Sequence, residues 1–380
     1  MTATILVCDK DLRAVAQPVQ RWTELTAEQR FNAIGSGEFI APGYADLTAG
    51  LNLPDSRVVV QVDGQVWTSG PVEKPGGQAW TPADGDGLIK VNFATHEVLL
   101  AERIVYPNPA LAITAQNTVH YVATATNAEV LMRALVNLNA GPGALVARRQ
   151  PNLVLGGLNS IGTNVDFTGR GEPLTEALRT VAAAGGGLGF RVRQQGTQLL
   201  FEVYLTVNRS GYVRFSRSLG NLRELDTDPE TPTCTAAIVG DDGEGTDRVI
   251  VERVDTVAIT AGHRRAEKWI NQGSGTASEL NAAGDLALAE GAARVGLNVT
   301  VVDGPQSRYG LNYWLGDTVA VEVLPGLAIN EQVTAVKLTA TPDGGEVVSP
   351  TIGGGSPTTQ SAVLQTLREL QRRIGLLERR

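Results

Sequence analysis

Arg57-Val58-Val59-Val60-Gln61-Val62, then Asp63-Gly64, then Gln65-Val66-Trp67-Thr68-Ser69-Gly70 reads as one hairpin. The first run is β-branched, and the Asp-Gly pair accepts the positive φ angles that a two-residue hairpin turn requires. A hairpin places neighbours antiparallel, so this stretch argues against a parallel, doubly wound sheet. The segments around it fit the same plan. Thr4-Ile5-Leu6-Val7-Cys8, Glu38-Phe39-Ile40-Ala41-Pro42, Leu88-Ile89-Lys90-Val91-Asn92-Phe93 and Glu97-Val98-Leu99-Leu100 all read as strands. Residues 1–110 are therefore expected to form an antiparallel, barrel-like β module.

The pattern changes over 111–207. Val130, Leu131, Ala134, Leu135 and Leu138 recur at helical spacing, which predicts a helix over 127–138. Glu172-Pro173 opens a second helix whose apolar face is Leu174, Ala177, Leu178 and Val181. Gly185-Gly186-Gly187 stops it. Strands follow at 189–193 and 199–204, which makes this a small α+β module. Residues 208–345 return to β, with strands at 249–254, 297–303, 318–323 and 332–339 and a helical/β insertion near 236–290, including a helix over 279–295. The period-2 alternation of 332–339 is clear. Residues 346–360 read as a Gly/Pro/Ser/Thr joint, and 361–380 as a coiled-coil helix. The expected fold class is mainly β with α+β. Two antiparallel β-barrel-like modules flank an α+β module, and a C-terminal coiled coil follows.

In the last segment Val363, Leu367, Leu370, Ile374 and Leu377 are spaced 4, 3, 4 and 3. With Leu367 and Ile374 at a, and Val363, Leu370 and Leu377 at d, Arg373 falls at g and Glu378 at the following e. That register suits an ion pair between parallel helices, and Val363 at d favours three strands over two. So short a helix is marginal alone. Its seam extends an association held mainly by the body, unless it packs back on its own chain.

Composition narrows the function. Of 380 residues 42% are hydrophobic and 19% charged, and the formal net charge is −8. An acidic chain does not grip nucleic acid by its phosphates. It suits a wall along which DNA passes as cargo, or simply a soluble surface. The two cysteines, Cys8 and Cys234, give no disulfide framework. No basic segment followed by an apolar stretch opens the chain, so no secretory leader is expected. Nor is there a run of about 18 or more apolar residues, so no stable membrane insertion is expected.

Catalytic and metal motifs fail on spacing. In Gly185-Gly186-Gly187-Leu188-Gly189 the helix precedes the glycines, which places them at its negative end rather than at a phosphate-binding N-terminus. The three histidines, His96, His120 and His263, stand apart, and no Cys-x-x-Cys or Gly-x-Ser-x-Gly occurs. The acidic loops 84–87 and 241–247 lack EF-hand spacing and read as solvated turns. No catalytic residue, metal or cofactor is assigned.

One aromatic cluster stands out: Arg308-Tyr309-Gly310-Leu311-Asn312-Tyr313-Trp314-Leu315-Gly316-Asp317-Thr318-Val319, followed by Val333-Thr334-Ala335-Val336 and Pro350-Thr351-Ile352-Gly353. Trp22-Thr23-Glu24-Leu25, Arg30-Phe31-Asn32, Gly35-Ser36-Gly37-Glu38-Phe39 and Val66-Trp67-Thr68-Ser69-Gly70 precede it in order. Together these resemble the ReqiPepy-type siphovirus tail-hub, or minor tail protein, family of actinobacterial phages, which is related to phage baseplate hubs. The resemblance covers roughly residues 1–355. It implies a structural motif at Tyr309, Gly310, Tyr313, Trp314, Gly316 and Asp317. It also implies a non-enzymatic homotrimer, made in the host cytoplasm and carried at the virion tail tip. Its β modules would make a ring capping the tail tube and opening or lining the DNA path. Its partners would be a tail-tube or distal tail ring, together with tail-tip, tape-measure or receptor-binding proteins. Some relatives carry a peptidoglycan-cleaving domain, and this chain has no spare domain of that size. The competing reading is a secreted or virion-bound carbohydrate-binding adhesin or peptidoglycan hydrolase, with the aromatics around Trp314 as a sugar platform.

Overall fold

The computed structural model describes every residue except 1–2, 44, 75–77, 80–86, 119, 244, 273–276, 293, 302–306, 325–326 and 354–380. The heptad residues Val363, Leu367, Leu370, Arg373, Ile374, Leu377 and Glu378 lie outside the described residues. The chain divides into two compact units. Among the described residues, unit 1 is 3–208 with 314–317 and 335–349, and unit 2 is 209–313 with 318–334 and 350–353.

Unit 1 opens with β1 (Ala3–Cys8), β2 (Glu24–Arg30), β3 (Ala33–Pro42), α1 (Ala45–Leu51), β4 (Arg57–Val62), β5 (Gln65–Lys74), β6 (Gln78–Ala79), β7 (Leu88–Ala94) and α2 (Val98–Ala101). The Asp63-Gly64 turn forms as the sequence requires, with φ of 50° and 76° and antiparallel pairing of β4 with β5. The strand order is β1-β4-β5-β7-β3-β2, continued by 335–341. Leu25, Ala27, Phe39, Ala41, Val58, Val60, Val91 and Phe93 are buried beneath it.

The barrel-like expectation is corrected here. Among the described residues no barrel closes, because the outer edge of β1 is already taken. Residues 14–19 bridge it, with Val19 N donating to Ile5 O at 2.8 Å, Ile5 N to Val19 O at 3.2 Å and Val15 N to Val7 O at 2.9 Å. A second correction is 97–100, read as strand. It is a short helical turn, and both Leu99 and Leu100 are buried. Two adjacent buried side chains do not fit a strand with a single covered face.

The unit continues with β8 (Tyr121–Asn127), α3 (Ala128–Asn139), β9 (Leu153–Leu155), β10 (Asn164–Gly169), α4 (Leu174–Ala184), β11 (Gly189–Gln195) and β12 (Gln198–Tyr204). Asn127 caps α3, its side chain accepting from Val130 N. Leu131, Leu135, Leu178 and Val181 pack with Phe190 and Phe201 in one core, which also takes Leu99, Leu100 and Val105 from the chain before β8. Glu129 is fully buried at the start of α3, and its carboxylate accepts from Asn159 N (3.1 Å) and Ile161 N (2.9 Å).

Unit 2 holds β13 (Arg214–Phe215), β14 (Leu222–Glu230), β15 (Ala236–Gly240), β16 (Ile250–Val254), α5 (Thr256–Thr260), β17 (Glu267–Asn271), α6 (Ala277–Glu290), β18 (Arg294–Val301) and β19 (Thr318–Leu324). It also holds the first part of β20 (Leu327–Thr341) and the end of β21 (Gly345–Ile352). β14 pairs with β18, and β19 pairs with β20 and β13. A separate three-stranded sheet, β16-β15-β17, carries α6 on one face. Arg294 and Val295, read as the end of a helix, instead open β18 and pair with Glu230 and Pro229. Residues 346–352, read as part of a joint, lie in β21, where Val348 and Ile352 are buried. Val347 on the outward side and Pro350 on the inward side blur that alternation in the sequence.

Candidate functional site

The motif at 309–317 is built as two tight turns. In unit 2, Gly310 N donates to Tyr313 O at 3.0 Å and Arg308 N to the Asn312 side chain at 3.0 Å. Gly310 has a φ of 76°, a conformation that costs glycine little. The turn drives Tyr313 fully inside, where its ring meets Phe215 edge-on at 5.5 Å and Tyr309 at 5.5 Å. Such edge-to-face pairs add about 0.5–1.5 kcal/mol to area burial. Tyr313 is therefore an interior anchor and offers no face to a sugar. Phe215, its partner, carries no local signal that would single it out.

In unit 1 the next four residues form a second turn. Trp314 N donates to Asp317 Oδ2 at 3.0 Å, and Asp317 N to Trp314 O at 3.1 Å. Asp317 is 3% exposed, and its Oδ1 accepts from Val207 N at 2.8 Å. The carboxylate thus closes its own turn and ties it to the end of the α+β segment. Gly316 has a φ of 91°, and a Cβ there would lie 2.5 Å from the Phe31 ring. Trp314 remains partly exposed at 37%.

Phe31 belongs to the β2–β3 turn, whose other residue makes a contact not foreseen from sequence. Asn32 has a φ of 51°. Its Nδ2 donates to Leu188 O at 2.9 Å, and its Oδ1 accepts from Phe190 N at 2.8 Å. Its carbonyl accepts from Arg179 Nε at 2.7 Å. One side-chain amide thus satisfies a backbone donor and a backbone acceptor at the start of β11.

Two buried ionisable groups have displaced titrations. His96 is fully buried, and burial, reinforced by the nearby Arg57 charge, holds it down to about 3. It stays neutral at ordinary pH, with Nε2 3.5 Å from Gln194 Oε1. Glu331, on β20, is 5% exposed, and burial pushes it up to about 7. A carboxyl whose folded value lies above its unfolded one supports the fold most at low pH, and that contribution is lost as pH rises through about 7. Glu331→Gln is therefore expected to raise the melting temperature at pH 8 by about 2–4 °C and to change it little at pH 5. Thermal melts at the two pH values check this.

Among the described residues no cluster of three or more His, Cys, Asp or Glu side chains is placed to hold a metal ion. No described helix is long and apolar enough to cross a membrane.

A family profile described as "Siphovirus ReqiPepy6 Gp37-like protein" matches residues 4–354. No curated protein matches the chain. Solved structures give the fold. The 43 kDa tail protein of prophage MuSo2 from Shewanella oneidensis matches with a TM-score of 0.54 at 13% identity, covering 92% of this chain and 98% of that one. A tail protein from Neisseria meningitidis MC58 matches at 0.57 and 14%, covering 95% and 99%. A prophage tail protein from Listeria monocytogenes EGD-e matches at 0.50 and 12%, covering 97% and 99%.

Proposed function

Because the chain belongs to the siphovirus ReqiPepy6 Gp37-like family of phage tail proteins, we propose that it is the hub of the tail tip. The match over residues 4–354 carries this reading. At the coarser level the chain is a phage tail- or baseplate-related structural protein. In the finer reading three copies form a ring that caps the tail tube. The ring joins the tube to the tip and receptor-binding proteins and lines the path of the DNA. The acidic balance of the chain, −8 overall, suits that path, because it repels the passing phosphates.

In this reading the heptad from Val363 to Leu377 extends the threefold axis beyond the ring. The Arg373–Glu378 register sets the three helices parallel. Each exposed pair of that kind contributes only about 0–1 kcal/mol, so the seam orients the copies and the body holds them. Tyr313 and Asp317 serve this role indirectly, by fixing the chain on either side of their turns. A symmetry-resolved image of the assembled particle tests the proposal. Threefold density for this chain at the end of the tail tube is expected. Its placement elsewhere in the particle, or a different symmetry there, overturns the hub reading.

A further inference from the structure

The sheet β16-β15-β17 has α6 on one face, and among the described residues the other face exposes Trp269, Glu252 and Ile250 on its two outer strands. Register defines the open face. Trp269, Ile238 and Glu252 lie in one row across the three strands, and Asn271, Gly240 and Ile250 lie in the next. Trp269 is 46% exposed and Ile250 57%. The indole is held in place. Its Nε1 donates to Asn271 Oδ1 at 2.8 Å, and Arg248 Nη2 donates to the same oxygen at 2.6 Å. Gly240 makes room for it, since a Cβ there would sit 2.8 Å from Trp269 Cζ2.

The rim is charged but balanced. Arg265 bridges Glu252 and Glu267, its Nε donating to Glu267 at 2.7 Å. The Arg248 guanidinium lies over one face of the Trp269 ring, 5.2 Å from its centroid, so a ligand would stack on the other. Two arginines thus offset two glutamates, on a chain that is acidic overall. Each carboxylate retains lone pairs beyond its arginine, and Asn271 retains its Nδ2 donors.

Size and charge select the occupant. Three strands and five residues of length give a face of about 13 by 10 Å, or roughly 130 Å². A stable protein partner needs about 800 Å² on each side, so the face is too small for a second copy on its own. With two arginines and two glutamates, the rim offers no net positive charge to hold a phosphate. The face suits a small neutral ligand with an apolar C–H surface and many hydroxyls.

We propose that this open face binds a neutral saccharide unit, with Trp269 against the C–H face of the ring and Glu252, Asn271 and Arg248 meeting its hydroxyls. The aromatic supplies contact area at low entropic cost, and the fixed rim selects orientation. This site is separate from the 309–317 motif and does not rest on the hub reading.

The test titrates the full-length chain with maltotriose, chitotriose and mannotriose, using ligand-observed saturation-transfer NMR. Saturable binding of at least one, with a Kd on the order of millimolar, is expected. Trp269→Ala should weaken it about tenfold, as for the loss of one stacking ring. Glu252→Ala, an exposed change that leaves the core intact, should weaken it by about threefold through one lost hydroxyl contact. It carries the test if the tryptophan variant misfolds. Binding of none of the three sugars overturns the proposal, as does unchanged affinity in Glu252→Ala or in a folded Trp269→Ala.

Discussion

Replacing Asp317 by alanine is expected to destabilise the chain by about 3–4 kcal/mol. Its carboxylate accepts from Trp314 N and from Val207 N, and it is 3% exposed. Hydrogen bonds to a charged acceptor are worth about 1.5–3 kcal/mol each, and alanine strands both donors. Asp317→Asn keeps one oxygen acceptor and turns an NH₂ toward the other donor, so about half the loss is expected. Urea unfolding followed by far-UV circular dichroism measures the series. The order wild type, Asn, Ala in the denaturation midpoint is the expected result. Equal midpoints for all three would mean that the turn stands without its carboxylate. Hydrogen exchange adds a local readout, because the amides of Trp314 and Val207 should lose protection in the alanine variant.

The second large effect is expected at Asn32. Asn32→Ala removes two side-chain hydrogen bonds, to Leu188 O and from Phe190 N, and leaves alanine at a φ of 51°. The lost bonds and the left-handed backbone together cost about 3 kcal/mol. Asn32→Gly relieves the backbone but not the bonds, so it should fall about 1 kcal/mol short of the alanine loss. Asn32→Asp is the sharper probe. It keeps the acceptor for Phe190 N but sets a second carboxylate oxygen against Leu188 O, so it should be no better than alanine. An aspartate variant as stable as wild type would show that the Leu188 bond contributes nothing. The same urea titration reads all three variants, and amide exchange at Phe190 reports the broken contact directly.

What the sequence disclosed followed the range of each interaction. The Asp63-Gly64 hairpin, the helix read over 127–138 and the α4 helix ending at Gly185 rest on neighbours a few residues apart, and each formed. Gly310 and Gly316 were marked through the family resemblance, as part of the 309–317 motif, and both take a positive φ. Other features were silent. Asp317 reaches Val207 across 110 residues, and Asn32 reaches Phe190 across 158. Pattern and propensity carry no record of such distant partners. The same limit explains the open sheet. Alternation reports which face of a strand is buried, but not what lies along its edge. Nothing in the sequence around Trp269 marks it as outward, and only the register of three strands with its exposure shows it so.

The bridge laid by residues 14–19 along β1 bears on the life of the chain before it is used. A bare apolar strand edge is a template onto which another copy can add its own strand, and at high concentration that leads to stacked, insoluble chains. Here Ile5 N and O bond to Val19, and Val7 O accepts from Val15 N. Along residues 5–9 that margin is therefore closed to a strand from another copy, and chains are not expected to polymerise through it. The bridge acts as a safeguard of the stored, unassembled chain.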